Sequence, residues 1–411
     1  MAAGAEVPMR SPFVAAALVL LLSTLSYSQS QERVLWSFGG APNDGSHPVS
    51  SLITDMTGNL YGTTNYGGAN NAGTVFELTP QSDGTWNESL LYSFCSQAKC
   101  ADGEFPLGGL VMDGTGNLFG TAQYGGTQSG CQGSFNGCGV AFELSPQIDG
   151  TWVETVLYDF CSVFSNNVCE DGSGPNSQLV FDEAGNLYGT SLGAIRGTVF
   201  ELSPGSNGWT ESVLYKFCPN GGNSCSDGSS PMGGVAFDKL GNLYGTTQHG
   251  GRYRIGAVFE LSPNSDGWRE NVLIDFYYYG NSVAPISFDA AGNLYSTTLG
   301  NVFQLNAKSH AQRSRLFTSS TGSSNAGVLI DASRNALFGA GYGGGTNEGG
   351  TVWEVSPTRD LVPIYNFCSL PNCTDGAGPD ASLIEDASGN LYGTTKVGGV
   401  SDNGVVFELT P

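Results

Sequence analysis

Basic side chains are scarce in this chain: Lys and Arg number 15 of 411 residues against 37 Asp and Glu, a formal charge of −22. Nucleic acid and anionic membranes are bound through Lys and Arg, so neither is expected as a partner. Histidine is scarcer still, with only His47, His249 and His310. None has a Cys or His neighbour at metal-ligand spacing, and no Ser-His-Asp set can be assigned. No metal, no cofactor and no catalytic residue is therefore assigned. Long apolar runs are absent beyond the first 25 residues, which leaves no membrane span.

The one apolar run, Phe13 to Leu22 and on through Leu25, follows Arg10 and precedes small residues at Ser26 and Ser28. It is short for a bilayer and has the layout of a secretory signal. Residues 1–28 are read as that signal and 29–411 as a single domain, exported to an extracellular or periplasmic location. All ten cysteines lie in the exported part, in five close pairs: Cys95 with Cys100, Cys131 with Cys138, Cys161 with Cys169, Cys218 with Cys225, and Cys368 with Cys373. An even count in an exported chain implies disulfides, and the wide separation between pairs favours local closure.

Glycine, by contrast, is abundant, at 61 residues. Together with Thr, Ser, Asn and aromatics it favours strands joined by tight turns. The string Gly58-Asn59-Leu60-Tyr61-Gly62-Thr63 returns at Gly116–Thr121, Gly185–Thr190, Gly241–Thr246 and Gly389–Thr394, with degenerate copies at Gly292–Thr297 and Arg334–Ala340. An Asp precedes each, and a Val-Phe-Glu-Leu-like run follows each. The period is about 55 residues, within the range of repeat arrays.

Each period holds four strand-like runs, here lettered A to D: Leu179–Asp182 for A, Asn-Leu-Tyr-Gly-Thr for B, Val-Phe-Glu-Leu for C and Val213–Phe217 for D. Four antiparallel strands per unit make a propeller blade. The chain ends after strand C of the seventh copy, while Val34-Leu35-Trp36-Ser37-Phe38 is a strand D with no blade before it. Pairing the two closes the ring without an open edge. The expectation is an all-β, seven-bladed propeller of four-stranded antiparallel blades, with the N-terminal strand completing the last blade.

The Asp-x-x-Gly-Asn-Leu-Tyr-Gly-Thr-Thr…Gly-Thr-Val-Phe-Glu-Leu-Ser-Pro pattern resembles the Gloeo/Verruco (GloVer) tandem repeat of exported bacterial proteins, over essentially all of Val34 to Pro411. That resemblance implies repeat architecture and export, and carries no established activity.

Two enzyme-like strings are set aside. Gly189-Thr190-Ser191-Leu192-Gly193 lacks the strand-turn-helix context of a serine nucleophile. Gly339-Ala340-Gly341-Tyr342-Gly343-Gly344 lies in a B strand and its loop rather than opening a helix. The repeated Asp columns read as turn residues, and the strand-C Glu column as ties from one blade to the next. The Asp-Gly-x-x-Pro loops (Asp44, Asp102, Asp171, Asp227, Asp375) read as turns, with calcium as the alternative. In the sixth blade Arg334 stands where the turn glycine is expected, so Arg334→Gly is expected to stabilise.

Length variation and cysteines gather in the B–C and D–A loops, which share one face of the disc, and that side is expected to bind. Its candidate ligand residues are Tyr66, Tyr124, His249, Arg252, Tyr253, Arg254, Tyr277, Tyr278, Tyr279 and Tyr342. Tyrosines stack on sugars or anchor proteins, and the cationic cluster of blade four adds donors. Short loops at blade five are expected to open a notch beside Tyr277–Tyr279. The disulfides are expected to pin the D–A loops, and in one case the B–C loop of blade two. The reading is a monomeric extracellular binding or scaffolding propeller for a glycan or protein. A carbohydrate-cleaving enzyme using two carboxylates and a structural matrix protein are the alternatives.

Overall fold

The Gly of Asn-Leu-Tyr-Gly-Thr is there for packing. A Cβ on Gly62 would lie 2.6 Å from Phe76 and 2.9 Å from Leu52, and Gly120, Gly189, Gly245 and Gly393 lie equally close under the Phe of their own strand C. Each such Phe receives the edge of a Phe from the blade before it. Phe94 meets Phe142, Phe160 meets Phe200 and Phe217 meets Phe259, all at 5.0 Å. Edge-to-face pairs of this kind add about 0.5–1.5 kcal/mol beyond the area they bury.

These contacts organise seven four-stranded antiparallel sheets in the computed structural model, which describes residues 30–129, 131, 136–193, 196–219, 225–277, 283–298, 301–306, 312–318 (backbone only), 325–355 and 361–411. The assigned signal, residues 1–28, lies outside the described residues, as do Tyr278 and Tyr279. In blade one, strands A to D are Ile53–Thr54, Leu60–Thr64, Thr74–Pro80 and Trp86–Ser93. In blade seven, Ile384–Glu385, Leu391–Thr395 and Val405–Thr410 are joined by Gln31–Ser37, which pairs antiparallel with Val405–Thr410. The fold is the expected seven-bladed propeller, closed by its N-terminal strand. Phe38, just beyond that strand, reaches Phe76 of blade one at 5.1 Å, so the borrowed strand also restores the aromatic contact.

A second contact repeats nearer the axis. The strand-B Thr donates its hydroxyl to a backbone carbonyl of the next blade: Thr121 to Ser177 at 3.1 Å, Thr246 to Ala284 at 3.0 Å, Thr297 to Ala326 at 2.8 Å. Thr394 to Ser50, at 3.3 Å, carries the pattern across the closure.

The turn Asp column behaves as expected. Asp55 Oδ1 accepts the amides of Thr57 and Asn59, and its Oδ2 accepts Asn59 Nδ2. Among the described residues the strand-C Glu column is bonded within its own blade rather than to the next: Tyr61 donates to Glu77 at 2.8 Å and Tyr244 to Glu260 at 2.9 Å. The Tyr and Glu face each other across the B–C ladder, so the nearest donor is internal.

The cysteines close locally, pair by pair. Cys95 is bonded to Cys100, Cys131 to Cys138, and Cys161 to Cys169. Cys218 is bonded to Cys225, and Cys368 to Cys373. Their reach is wider than the expected pinning of one loop each. The carbonyl of Cys225 accepts the amide of Gly228 in its own D–A loop and that of Gly251 in the B–C loop, the latter at 2.7 Å. The Cys373 carbonyl likewise accepts Gly376 and Gly399, and the Cys100 carbonyl accepts Gly103 and Gly126. Cys225 is buried and Cys373 half-buried, so these bonds are shielded where the two loops of a blade meet.

The sixth blade corrects the reading of Arg334. Asp331 pairs with Ala336 and Leu329 with Phe338, so this turn is one residue longer than that of blade one. The left-handed position falls to Asn335, at φ 51°, a residue type that tolerates it. Arg334 instead pairs with Asp331 and with Glu385 of blade seven, and its guanidinium sits 4.7 Å from the Phe338 ring centre. Burial raises the Asp331 carboxyl, but donors from Ser333 and Arg334 outweigh it and hold it well below its ordinary range.

Two outcomes follow. Deleting Val34–Phe38 is expected to abolish cooperative unfolding and cause association; an unchanged midpoint in a monomeric variant contradicts the shared blade. Arg334→Gly is expected to destabilise by about 1–3 kcal/mol, the cost of leaving a buried acceptor without its partner. Chemical denaturation measures it, and a higher midpoint contradicts the assigned ion pairs.

Candidate functional site

Three residues before each strand-A core position, the chain turns around the axis of the propeller. There each blade contributes one rim residue: Val49, Leu107, Asn176, Met232, Val283, Asn325 and Asp380 line one depression of about 250 Å3. It opens on the face of the D–A and B–C loops. The step that follows is small (Ser50, Gly108, Ser177, Gly233), because a Cβ on Gly108 or Gly233 would lie 2.5 Å from the neighbouring blade's carbonyl.

Polar groups cluster on one side of this mouth. Asn325 Nδ2 donates to Asp380 Oδ1 at 2.7 Å. Burial pushes the Asp380 carboxyl up to about 6, against the pull of that bond and of the Lys396 charge. Lys396 lines the mouth too, and its ammonium stands 5.9 Å from the Tyr342 ring centre. His47 lies next to it; burial first and the Lys396 charge second lower its imidazole, with Asp402 opposing. Asn65 Oδ1 and Asn176 Oδ1 are buried and accept no hydrogen bond among the described residues, and Asn176 is 8% exposed. Among the described residues that line it, Asp380 is the one carboxylate and Lys396 the one cation. Such a mouth can accept donors from a hydroxylated ligand and supply one charge of each sign.

The sequence-derived candidates fall into groups around this mouth. Tyr66 and Tyr124 are joined through Phe105, at 5.2 and 6.1 Å, and His47 meets Tyr66 at 5.5 Å. With Tyr342 and Lys396 they form a band beside the polar side of the mouth. Tyr253 and Tyr277 pack edge to face at 4.6 Å, with Arg252 5.6 Å from the Tyr253 ring, in a separate group at blades four and five. Arg254 sits in the left-handed region at φ 65°, and exposed His249 bridges to Ser229. None of the ten cysteines lines the mouth; Cys225 and Cys373, like the others, brace the loops around it. Asp380, Asn325, Asn176, Lys396 and Asn65 were not anticipated. The available signal was column variation: the rim position is apolar in four copies and polar in three, while the next position is always Ser, Gly or Ala and the core position three residues on is always Leu, Val or Ile.

Five acid pairs lie elsewhere, between the outer strands of adjacent blades. Strand-D residues Glu32, Glu88, Glu154, Glu211 and Glu270 face Asp375, Asp44, Asp102, Asp171 and Asp227 of the Asp-Gly-x-x-Pro loops. Asp102 Oδ2 already accepts Tyr92 Oη, Ser96 N and Ser96 Oγ. Among the described residues Glu154 Oε1 is buried without a partner, as are its four counterparts, so the glutamate is the side chain left to carry a proton. Burial first, then the Asp charge, pushes Glu32, Glu88 and Glu270 up to about 7 and Glu154 and Glu211 to about 8. Their repetition in five clefts marks them as part of the fold.

A family model described as the Gloeobacter/Verrucomicrobia repeat matches residues 21–191, 130–301 and 298–411. No curated protein matches the chain significantly. Among solved structures, the extracellular domain of BT4673 from B. thetaiotaomicron, described as a one component system, is similar with a TM-score of 0.55 at 12% identity, over 93% of this chain and 42% of that one. A second structure of the BT4673 extracellular domain, described as that of a hybrid two component system, is similar with a TM-score of 0.56 at 11% identity, over 93% of this chain and 39% of that one. The chain thus spans about two fifths of the length of these structures. A gluconolactonase from Xanthomonas campestris, XC5397, matches at a TM-score of 0.45 and 12% identity, over 93% and 90%. At such identities the likeness to the BT4673 domain is one of fold.

The acid pairs set a pH dependence. A glutamate whose folded value lies above its ordinary 4.5 contributes stability that is complete below 4.5 and is lost as pH rises through about 7 to 8. In the turn aspartates, burial raises the carboxyls but the turn donors prevail, holding Asp55, Asp113, Asp182 and Asp386 below their ordinary 3.8. Their contribution is lost on the acid side. Thermal midpoints are therefore expected to peak at about pH 4–4.5 and fall as pH rises to about 8. Glu154→Gln is expected to raise the midpoint at the alkaline end and not at the acid end; an alkaline rise in the unsubstituted protein contradicts the pairing.

Proposed function

Since the chain belongs to the Gloeobacter/Verrucomicrobia repeat family, whose repeats here build one closed propeller, we propose that it is an extracytoplasmic binding protein that captures a glycan at the mouth of its central channel. Five disulfides suit an oxidising, extracytoplasmic compartment. The observation that carries the reading is Asn176: a side-chain acceptor buried at the mouth with no partner costs free energy unless a ligand or solvent donor reaches it. Asn65 Oδ1 and the Asp380 carboxyl add acceptors on the same rim, and hydroxyl groups of a sugar are donors of the right kind. Tyr342, 39% exposed, and Tyr66, 38% exposed, present ring surface beside them for stacking. The Tyr253–Tyr277 group stands apart and serves a longer ligand as an outer contact. A mouth with one carboxylate supports capture better than the two-carboxylate cleavage of glycosidases.

A glycan array probed with the exported chain supplies the ligand. Asn176→Ala, Asp380→Asn and Lys396→Ala are each expected to weaken its binding by about tenfold, the scale of one hydrogen bond to a charged or desolvated partner. Three folded variants with undiminished affinity remove the mouth as the site.

A further inference from the structure

Blade three differs from its neighbours where it reaches the mouth. Its rim residue Asn176 is followed by Ser177 and then Gln178, so two amide side chains lie two residues apart, and both line the depression. The blades on either side have no polar side chain at these three positions. Blade two has Leu107-Gly108-Gly109 and blade four has Met232-Gly233-Gly234, and no other blade carries a pair of glycines there. Packing explains the glycines. A Cβ on Gly108 would lie 2.5 Å from the Ser177 carbonyl oxygen, and one on Gly109 would lie 3.2 Å from the Gln178 amide carbon. On the other flank a Cβ on Gly234 would lie 3.1 Å from the Gln178 carbonyl oxygen, and Gly234 also holds φ 72°, which favours glycine. Blade three is thus seated between bare backbones. Leu107 and Met232, both half-buried, line the mouth on its two flanks, and each of the three rim residues follows a buried proline (Pro106, Pro175 or Pro231).

The two amides are differently employed. Gln178 Nε2 donates to the Leu110 carbonyl of blade two at 2.8 Å, which ties that carboxamide to the seam between the blades and leaves Oε1 as its acceptor. Asn176 Oδ1 is buried and accepts no hydrogen bond among the described residues. An acceptor left unmet in a buried place is costly, and the packing does not call for it, since four other blades fill the rim position with Val, Leu or Met. No charged side chain belongs to blades two, three or four among the described residues that line the mouth; Asp380 and Lys396 stand on blade seven. The sector therefore offers acceptors between two apolar walls, without charge.

We propose that this sector is the specificity pocket of the mouth and takes the N-acetyl group of a 2-acetamido sugar. The proposal rests on the reading of the mouth as a glycan site and adds which glycan it selects. A secondary amide brings one N–H donor for Asn176 and a methyl group that gains from the apolar cover of Leu107 and Met232. A hydroxyl at the same place on the sugar meets the acceptor but leaves both apolar side chains without a partner. An ammonium, as in a deacetylated amino sugar, sheds its water here with no carboxylate from blades two to four to receive it. Of the three groups that sugars commonly carry at carbon 2, the acetamido group alone suits both the acceptor and the walls.

The test is calorimetry on the exported chain with triacetylchitotriose, its deacetylated counterpart chitotriose, and cellotriose, which differ only in the group at carbon 2. The methyl glycosides of N-acetylglucosamine and N-acetylgalactosamine probe the single sugar. Triacetylchitotriose is expected to bind at least about tenfold tighter than either other trimer, the combined scale of one hydrogen bond and one buried methyl group. Leu107→Ser and Met232→Ser are each expected to cut that ratio at least about threefold. Their thermal midpoints are expected to stay unchanged, since the rim position accepts Asn or Asp in other blades. Asp380→Asn is expected to weaken all three trimers and leave the ratio as it is. Equal affinity for triacetylchitotriose and cellotriose, both weakened by Asp380→Asn, overturns the acetamido pocket and leaves capture at the mouth standing. A preference that survives in both serine variants overturns the pocket as well. So does the absence of saturable binding by every acetylated probe, in which case the glycan array alone decides capture at the mouth.

Discussion

The propeller depends on one repeated contact: an aromatic ring of strand C lying over a glycine of strand B and receiving the edge of a phenylalanine from the preceding blade. The ring can lie that low only because the glycine has no side chain, as the 2.6 Å approach at Gly62 shows. Lying low, it leaves room for the neighbouring Phe at about 5 Å, and successive blades are drawn together at a fixed angle. The Thr-to-carbonyl bonds at the inner ends of the blades add roughly 1 kcal/mol each and set their spacing near the axis. Closure needs no separate device. Phe38 and Thr394 repeat across the N-terminal strand the contacts that other blades make within continuous chain.

A frame held this way leaves the loops free to differ, provided their roots are pinned. In four D–A loops the Asp of Asp-Gly-x-x-Pro gathers donors from the end of strand D, as Asp102 does from Tyr92 and Ser96, and a disulfide closes the same loop. The carbonyls of Cys100, Cys225 and Cys373 then tie three of these loops to the B–C loops beside them. The rim residue follows the proline, on rigid backbone and aimed at the axis. Nothing in the packing specifies it, so it is Val in one copy and Asn or Asp in another. The mouth takes its chemistry from the one column that the core does not constrain.

The same distinction explains what was legible in the sequence. Blade number, strand order, shared closure and disulfide pairing all repeat, and repetition exposes them. The turn at Asp331 was misread because a one-residue insertion keeps Asp and Asn in view while moving the left-handed position from Arg334 to Asn335. The strand-C Glu column was visible, but its partner, a Tyr across the ladder of the same blade, depends on register that composition does not carry. The pairing of Cys218 with Cys225 and of Cys368 with Cys373 could be read from spacing, whereas the bonds from the Cys225 and Cys373 carbonyls to another loop could not, because backbone groups leave no mark on residue type. The mouth was hidden for the opposite reason. Its residues lie far apart in sequence, one per blade, and converge only when seven copies close on an axis.

Blade five shows how far these columns depend on one another. The loop that leads into it lacks the cysteine pair and Asp-Gly-x-x-Pro, and its strand D has Gln312 in the glutamate column. The two acids are absent together for an electrostatic reason. With no buried aspartate behind it, a glutamate there would lose the neighbour whose charge helps keep it protonated, and an amide does as well. Blade six repeats the logic, with Leu361 in the glutamate column and no Asp-Gly-x-x-Pro loop before it.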